Sequence, residues 1–367
     1  MRPQLRKLAL ALVGLTVLAI LLYRSRGLIH LENFSGHRLL GAVREARWPY
    51  LLLSVAAIYV CYALRALRWQ RFSRYLGPCH FWSLYQMTLA GFTSIFLLGR
   101  AGEPIRPLLI ARKEKLPVSG MFGIYLLERL IDSACTAILL ASALALFPAL
   151  GQGGGSGTVA TAARATGRAL FIGIVAAAAL FLYFRLHGGA YLEGRIEKWR
   201  ARGGRWAKFA GVVSGFSHGL GAIRTFGDLA AAASYSAAHW LLVALIYMWV
   251  PMSFGGQLAT IGFRGAMLVL AFTMIGSTLQ LPGVGGGSQV ASFLAFTTVF
   301  GVEKEPAAAA AIVLWLITFA ASSLVGVPLL IREGWSIGEL RRLAEREKSA
   351  AEGAPSLAGG SRGESPE

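Results

Sequence analysis

Nine apolar runs joined by short, basic connections decide what this chain can fold into: Leu8–Tyr23, Trp48–Leu67, Phe81–Leu98, Ser119–Phe147, Ala169–Leu186, Leu229–Val250, Ala266–Leu281, Gly287–Phe300 and Ala307–Ile331. Several approach or exceed the roughly 20 residues that carry a helix across the core of a bilayer. Composition agrees. Of 367 residues, 55% are hydrophobic and 15% charged, against about 25% charged in an ordinary soluble chain. An ordinary soluble enzyme, a collagen-like chain and a disordered chain are excluded. The net charge of +18 falls between the apolar runs, the pattern of a membrane protein with a basic cytoplasmic face. No nucleic-acid partner is expected.

The runs are continuous rather than alternating, so the spanning elements are helices and not barrel strands. Leu8–Tyr23 follows Arg2, Arg6 and Lys7 and precedes Arg24-Ser25-Arg26, with no small-residue cleavage site; it reads as an uncleaved signal anchor. Gly151–Gly157 reads as a flexible loop, and Lys348–Glu367 carries too little apolar surface to fold. Between Tyr191 and Ile223, apolar residues recur at helical spacing among Arg195, Lys198, Arg202, Arg205 and Lys208. Such a helix lies on an anionic membrane surface, or packs as a linker on the protein's own cytoplasmic face.

Charge arithmetic decides how Phe81–Ala111 is threaded. If Phe81–Leu98 crosses fully, 11 Lys and Arg fall on the cytoplasmic side and 24 outside; if it turns back at Gly99–Pro104, the split becomes 26 inside and 9 outside. The positive-inside rule favours the turn. At Pro282–Gly287, length decides. Each flanking arm spans roughly 21–24 Å of helix, short of the ~30 Å core. The fold expected is an all-α polytopic membrane protein with about six spanning helices and two re-entrant helical hairpins. These form inverted span–hairpin–span repeats with both termini cytoplasmic. Opposed broken elements near the midplane are a common way to build a transporter site.

Charges at membrane depth mark function by default. One group is Arg100, Glu103 and Arg106 at the tip and return arm of the first hairpin; the other is Glu128, Arg129 and Asp132 inside Ser119–Phe147. They fit a polar cavity in which arginines hold an anionic headgroup, or a buried ion-pair lattice with no ligand. Gly283, Gly285 and Gln289 lie at the second break, where amide groups opening the next arm suit an anion, or where glycines merely let the chain turn. Arg65, Arg68 and Arg71, with Trp69, read as an interfacial anchor. Cys61, Cys79 and Cys135 show no CxxC spacing, and the histidines form no metal motif; no metal or other cofactor is expected.

Arg68-Trp69, GRAGEPIR (Gly99–Arg106), ERLID (Glu128–Asp132) and LPGVGGGSQ (Leu281–Gln289) occur in that order. Together they resemble the lysylphosphatidylglycerol synthase transmembrane-region family, also called flippase-like integral membrane proteins. The resemblance runs from about Leu8 to Ile331. It implies a flippase-like membrane domain over residues 1–331, with an amphipathic cytoplasmic segment at 190–225. Residues 332–367 then form a largely disordered cytoplasmic tail. In fused members the membrane part moves an aminoacylated phospholipid between leaflets and a soluble synthase domain follows, so a stand-alone member is expected to lack aminoacyl transfer. Gln289 departs from the family pattern, which usually has an acidic residue there. That argues against proton coupling at the second hairpin.

The leading expectation is a non-enzymatic lipid translocase or lipid-binding transporter in a bacterial-type plasma membrane, with phospholipid or polyprenyl-type amphiphiles as partners. A second copy or a separate lipid-modifying enzyme is a further candidate partner. The alternatives are an integral-membrane transferase acting on a polyprenyl phosphate, and a non-transporting assembly partner in envelope biogenesis. A transferase needs an acid pair in a loop, and the long cytoplasmic loop offers only isolated Glu193, Glu197 and Asp228.

Overall fold

A computed structural model describes residues 36–146, 172, 194, 196–277, 280–281 and 285–334. Helix α1 (Gly36–Glu45) leads into α2 (Trp48–Ser73); α3 (Phe81–Leu98), a 3-10 turn (Gly99–Gly102), α4 (Ile105–Lys113) and α5 (Val118–Leu146) follow. Then come α6 (Gly204–Leu220), α7 (Phe226–Ser253), the short α8 (Gly256–Ala259) and α9 (Gly262–Gly276). The last part holds α10 (Gly287–Leu294), α11 (Lys304–Trp315) and α12 (Ala321–Arg332). A π-turn, Leu316–Ala320, joins α11 to α12 as one continuous helix.

Among the described residues, four helices are long and apolar enough to cross a membrane: α2, α3, α7 and Lys304–Arg332. The 26 residues of α2 and 28 of α7 give about 39 and 42 Å, beyond the ~30 Å core. Helix α5 is as long, with 29 residues, but carries three charges in its interior. Local signals set the starts. Pro49 opens α2, where its missing N–H costs nothing. Thr225 and Asp228 form a reciprocal capping box on α7.

Helices α2 and α7 run antiparallel. The Arg47 amide donates to the Ser253 carbonyl at 2.7 Å at one end, and Arg71 pairs with Asp228 at 2.9 Å at the other. That second end also gathers the start of α3 and the ends of α4 and α12. The His80 amide donates to Glu114 Oε2 at 3.2 Å, and Lys113 Nζ lies 2.6 Å from Glu333 Oε1.

Two helical hairpins enter this frame from opposite ends. In the first, α4 folds back along α3 so closely that a Cβ on Gly91 would sit 2.4 Å from Arg106 Cβ. In the second, α10 folds back along α9, and a Cβ on Gly276 would sit 2.2 Å from the Gly287 carbonyl oxygen. Its tip is a two-residue antiparallel ladder pairing Gln280 with Gly286 and Leu281 with Gly285. This ladder touches the 3-10 turn at the tip of the first hairpin. Both chain reversals fall where the glycine and proline breaks placed them.

Leu8–Tyr23, Gly151–Gly157 and Lys348–Glu367 lie outside the described residues, as does Ala169–Leu186 but for Ile172. The 191–223 segment is not one helix among the described residues. Gly203, at φ +64°, separates helical residues 196–201 from α6, and α6 packs against α5 with Gly219 beside the Gly120 carbonyl.

Gly91→Ala forces α3 and α4 apart and is expected to cost about 1–3 kcal/mol, as overpacking does. Gly41→Ala in α1, where an added Cβ meets nothing within 4 Å, is expected to leave stability unchanged or raised. Thermal unfolding of the two purified variants checks the contrast.

Candidate functional site

Four helices bring polar side chains to one place, three of them charged ones. Helix α2 supplies Arg65 and Arg68, three residues apart on one face; α4 supplies Arg106; α5 supplies Glu128, Arg129 and Asp132; α7 supplies Ser236 and His239. Arg65 Nη1 donates to Glu128 Oε1 and to Asp132 Oδ2, both at 2.9 Å. Arg68 donates to Glu128 Oε1 at 2.7 Å, to Asp132 Oδ1 at 3.0 Å and to Ser236 Oγ at 2.8 Å. Arg106 pairs with Glu128 Oε2, and its guanidinium lies 4.6 Å from the centre of the Trp69 ring. Glu128 is fully buried and takes arginines from α2 and α4 at once.

The same lattice has an open side. The Arg129 side chain is 35% exposed and donates to Asp132 Oδ2 at 3.2 Å. Arg65, Glu103, Arg129, Asp132 and His239 form the polar wall of a cavity of about 370 Å³; Ile58, Phe92, Phe96, Val243 and Phe319 are among its apolar lining. Met274 and Ser277, at the end of α9, and Thr318, in the π-turn, complete it. The cavity thus lies between the tips of the two hairpins. Tyr125 Oη donates to Glu103 Oε2, which holds this tip residue against α5.

Arg65 Nη2 lies 3.1 Å from His239 Nε2. A guanidinium can only donate, so Nε2 accepts and the imidazole proton sits on Nδ1. Among the described residues that nitrogen has no hydrogen-bond partner, nor has Arg129 Nε.

Of the residues singled out from the sequence, Glu103, Arg106, Glu128, Arg129 and Asp132 come together. Within that set, Arg106 and Glu128 belong to the buried lattice, and Glu103, Arg129 and Asp132 reach the cavity. Arg100 lies in the 3-10 turn at the tip. Gly285 is in the tip ladder, and Gly283 lies outside the described residues. Gln289 Oε1 accepts from the Gly286 amide at 2.7 Å and so caps α10; it does not line the cavity.

The interfacial-anchor reading of Arg65, Arg68 and Trp69 is overturned. Arg68 is 1% exposed and Trp69 fully buried. Helix α2 continues to Ser73, which draws these residues inward, where two carboxylates meet both guanidiniums. The signal was available: an i, i+3 arginine pair in one apolar run answers an i, i+4 acid pair in another. His239 carried none, being a lone histidine in an apolar run.

Removing one partner of a buried ion pair leaves the others uncompensated, at about 3–5 kcal/mol. Glu128→Gln is expected to lose that much stability. Arg129→Gln, at a partly exposed position, is expected to lose about 1 kcal/mol or less. Thermal or denaturant unfolding in detergent orders the two, and equal losses would contradict the division into lattice and cavity wall.

The sequence model of the lysylphosphatidylglycerol synthase TM region matches residues 8–326. No curated protein and no solved structure matches the chain. With the apolar helices, that match makes this chain an integral membrane protein belonging to the lysylphosphatidylglycerol synthase TM-region family, a family connected with lipid handling.

Proposed function

We propose that this protein is a non-enzymatic lipid translocase, which binds the headgroup of an anionic or zwitterionic amphiphile and passes it between leaflets of the plasma membrane. The observation that carries the reading is the cavity between opposed hairpin tips, lined by charged and apolar side chains together. Its volume suits a headgroup and the first carbons of a chain, within the usual range for small-ligand sites. Arg129 supplies a forked donor for a phosphate, with the charge of Arg65 beside it in the cavity lining. Glu103 and Asp132 balance them or meet an amine. The chains of the amphiphile stay in the bilayer, so the protein needs to shelter only the part that lipid cannot solvate.

In this reading both hairpins are re-entrant. The arms of the second, Gly262–Gly276 with 15 residues and Gly287–Leu294 with 8 continued by the 5-residue π-turn Ala295–Val299, give about 22 and 20 Å of helix, less than the ~30 Å membrane core. In this reading the end that carries Lys113 and Glu333 faces the cytoplasm, the side that the 26-to-9 charge split favours, and both termini lie there. The sequence carries no nucleotide-binding loop, so movement runs downhill or is coupled to an ion. The transferase alternative loses support because Asp228, one of its candidate acids, is fully buried and engaged by its own neighbours.

Liposomes containing the protein and fluorescent lipids of different headgroups test the reading. Arg129→Gln is expected to slow leaflet exchange about tenfold or more, the worth of one charge-assisted contact, while the unfolding temperature holds. Glu103→Gln is expected to change which headgroups exchange. Wild-type exchange no faster than in empty liposomes would end the proposal. A single cysteine at Lys113, in a background without the three native cysteines, is expected to react only from the cytoplasmic side. Labelling from outside in intact cells would overturn the orientation.

A further inference from the structure

A second charged cluster sits at the end of the molecule where α2 finishes and α7 begins. Its centre is Asp228, fully buried. Oδ1 accepts from Arg71 Nε at 2.9 Å and lies 2.6 Å from Arg74 Nη2. Oδ2 accepts from Tyr75 Oη at 2.6 Å and from the Arg224 and Thr225 amides at 3.1 and 2.9 Å. It also accepts from Thr225 Oγ1 at 2.9 Å. The carboxylate's acceptor sites are filled. The guanidiniums around it are not: each carries five N–H donors, and Arg71 and Arg74 are more than a third exposed.

Three arginines therefore face one acid, leaving a local charge of +2 among these four residues. They are also held in place. Arg74 and Arg224 lie over the Tyr75 ring, 4.6 and 4.4 Å from its centre. Fixed forked donors with surplus charge suit a tetrahedral anion. Beside them, Phe226 is 84% and Leu229 51% exposed. Exposed apolar side chains next to a basic cluster, at the ends of two helices long enough to span, are the arrangement of a membrane interface. Water gives no reason to place Phe226 there; an acyl chain does.

We propose that Arg71, Arg74 and Arg224, with Phe226, form a binding site for the headgroup phosphate of an anionic phospholipid in the leaflet at this end, separate from the cavity. It involves no residue of the cavity wall. A lipid bound there bridges α2 and α7 at their shared end and so bears on the frame that carries the cavity.

Native mass spectrometry of the detergent-solubilised full chain tests this, with dioleoylphosphatidylglycerol, dioleoylphosphatidylcholine and inorganic phosphate as probes. Wild type is expected to retain one more phosphatidylglycerol than Arg71→Gln/Arg224→Gln, with an affinity about tenfold tighter at that site. The binding is expected to weaken as salt is raised. Arg129→Gln is expected to keep this lipid while losing exchange, so failure at the cavity and failure here give different results. Phe226→Ser leaves the ionic cluster intact and keeps the test sound if the double variant does not fold; it is expected to weaken phosphatidylglycerol binding. Equal retention by wild type and both variants, equal retention of phosphatidylcholine, or displacement by inorganic phosphate at matched concentration would each overturn the proposal.

Discussion

A carboxylate with no access to water sets the terms for the rest of the molecule. Glu128 is fully buried, and an ionised group there persists only if its charge is met and its lone pairs are filled. Arg65 and Arg68 come from α2 and Arg106 from the return arm of the first hairpin. Asp132 shares the two α2 arginines, and Arg68 reaches on to Ser236 of α7. The directional demands of these bonds fix how α2, α4, α5 and α7 sit against one another. Apolar packing alone would leave their rotation about their own axes loosely specified. Such a lattice is weak evidence of extra stability, since desolvation offsets much of the attraction. Its consequence is geometry.

That geometry explains why the cavity lies where it does. The first hairpin is held against α5 by Arg106 and by the Tyr125–Glu103 hydrogen bond, so its tip cannot advance further. The second hairpin comes from the other end until its ladder meets that tip. Neither arm continues past the meeting point, and the space beside it is closed by α2, α5, α7 and the final helix. Arg129 and Asp132, on the lattice's outer edge, become the wall. One set of charges thus holds the helices and lines the space.

Much of this was legible in the sequence, for identifiable reasons. Gly99–Pro104 and Pro282–Gly287 announce chain reversals because no long helix tolerates such runs, and both reversals are present. Glu128 and Asp132 announce a shared face by their spacing. What the sequence alone did not disclose depends on tertiary partners. Arg65 and Arg68 sit near the end of an apolar run, the ordinary place for an interfacial anchor, and only the facing acids draw them inside. His239 has no motif around it and gains its place by packing against Arg65. Gln289 stands where an anion contact was expected and instead closes a helix cap, a role that any well-placed amide oxygen can fill. The break at Gly203 needs a positive φ that spacing does not reveal.

The π-turn at Leu316–Ala320 carries a consequence of its own. A π-turn is, in effect, one residue inserted into an α-helix, and each inserted residue rotates everything beyond it by about 100°. The carbonyls displaced from the regular ladder are met from the side: Tyr59 Oη donates to Ala321 O at 2.7 Å and Tyr62 Oη to Thr318 O at 3.5 Å. Past the turn, Gly326 packs against Thr93 of α3. Deleting a single residue from this stretch would straighten the helix, turn Gly326 away from Thr93 and leave both tyrosine hydroxyls without their acceptors. The stretch can therefore change its amino acids far more easily than its length, and among relatives a gap here should coincide with loss of the two tyrosines.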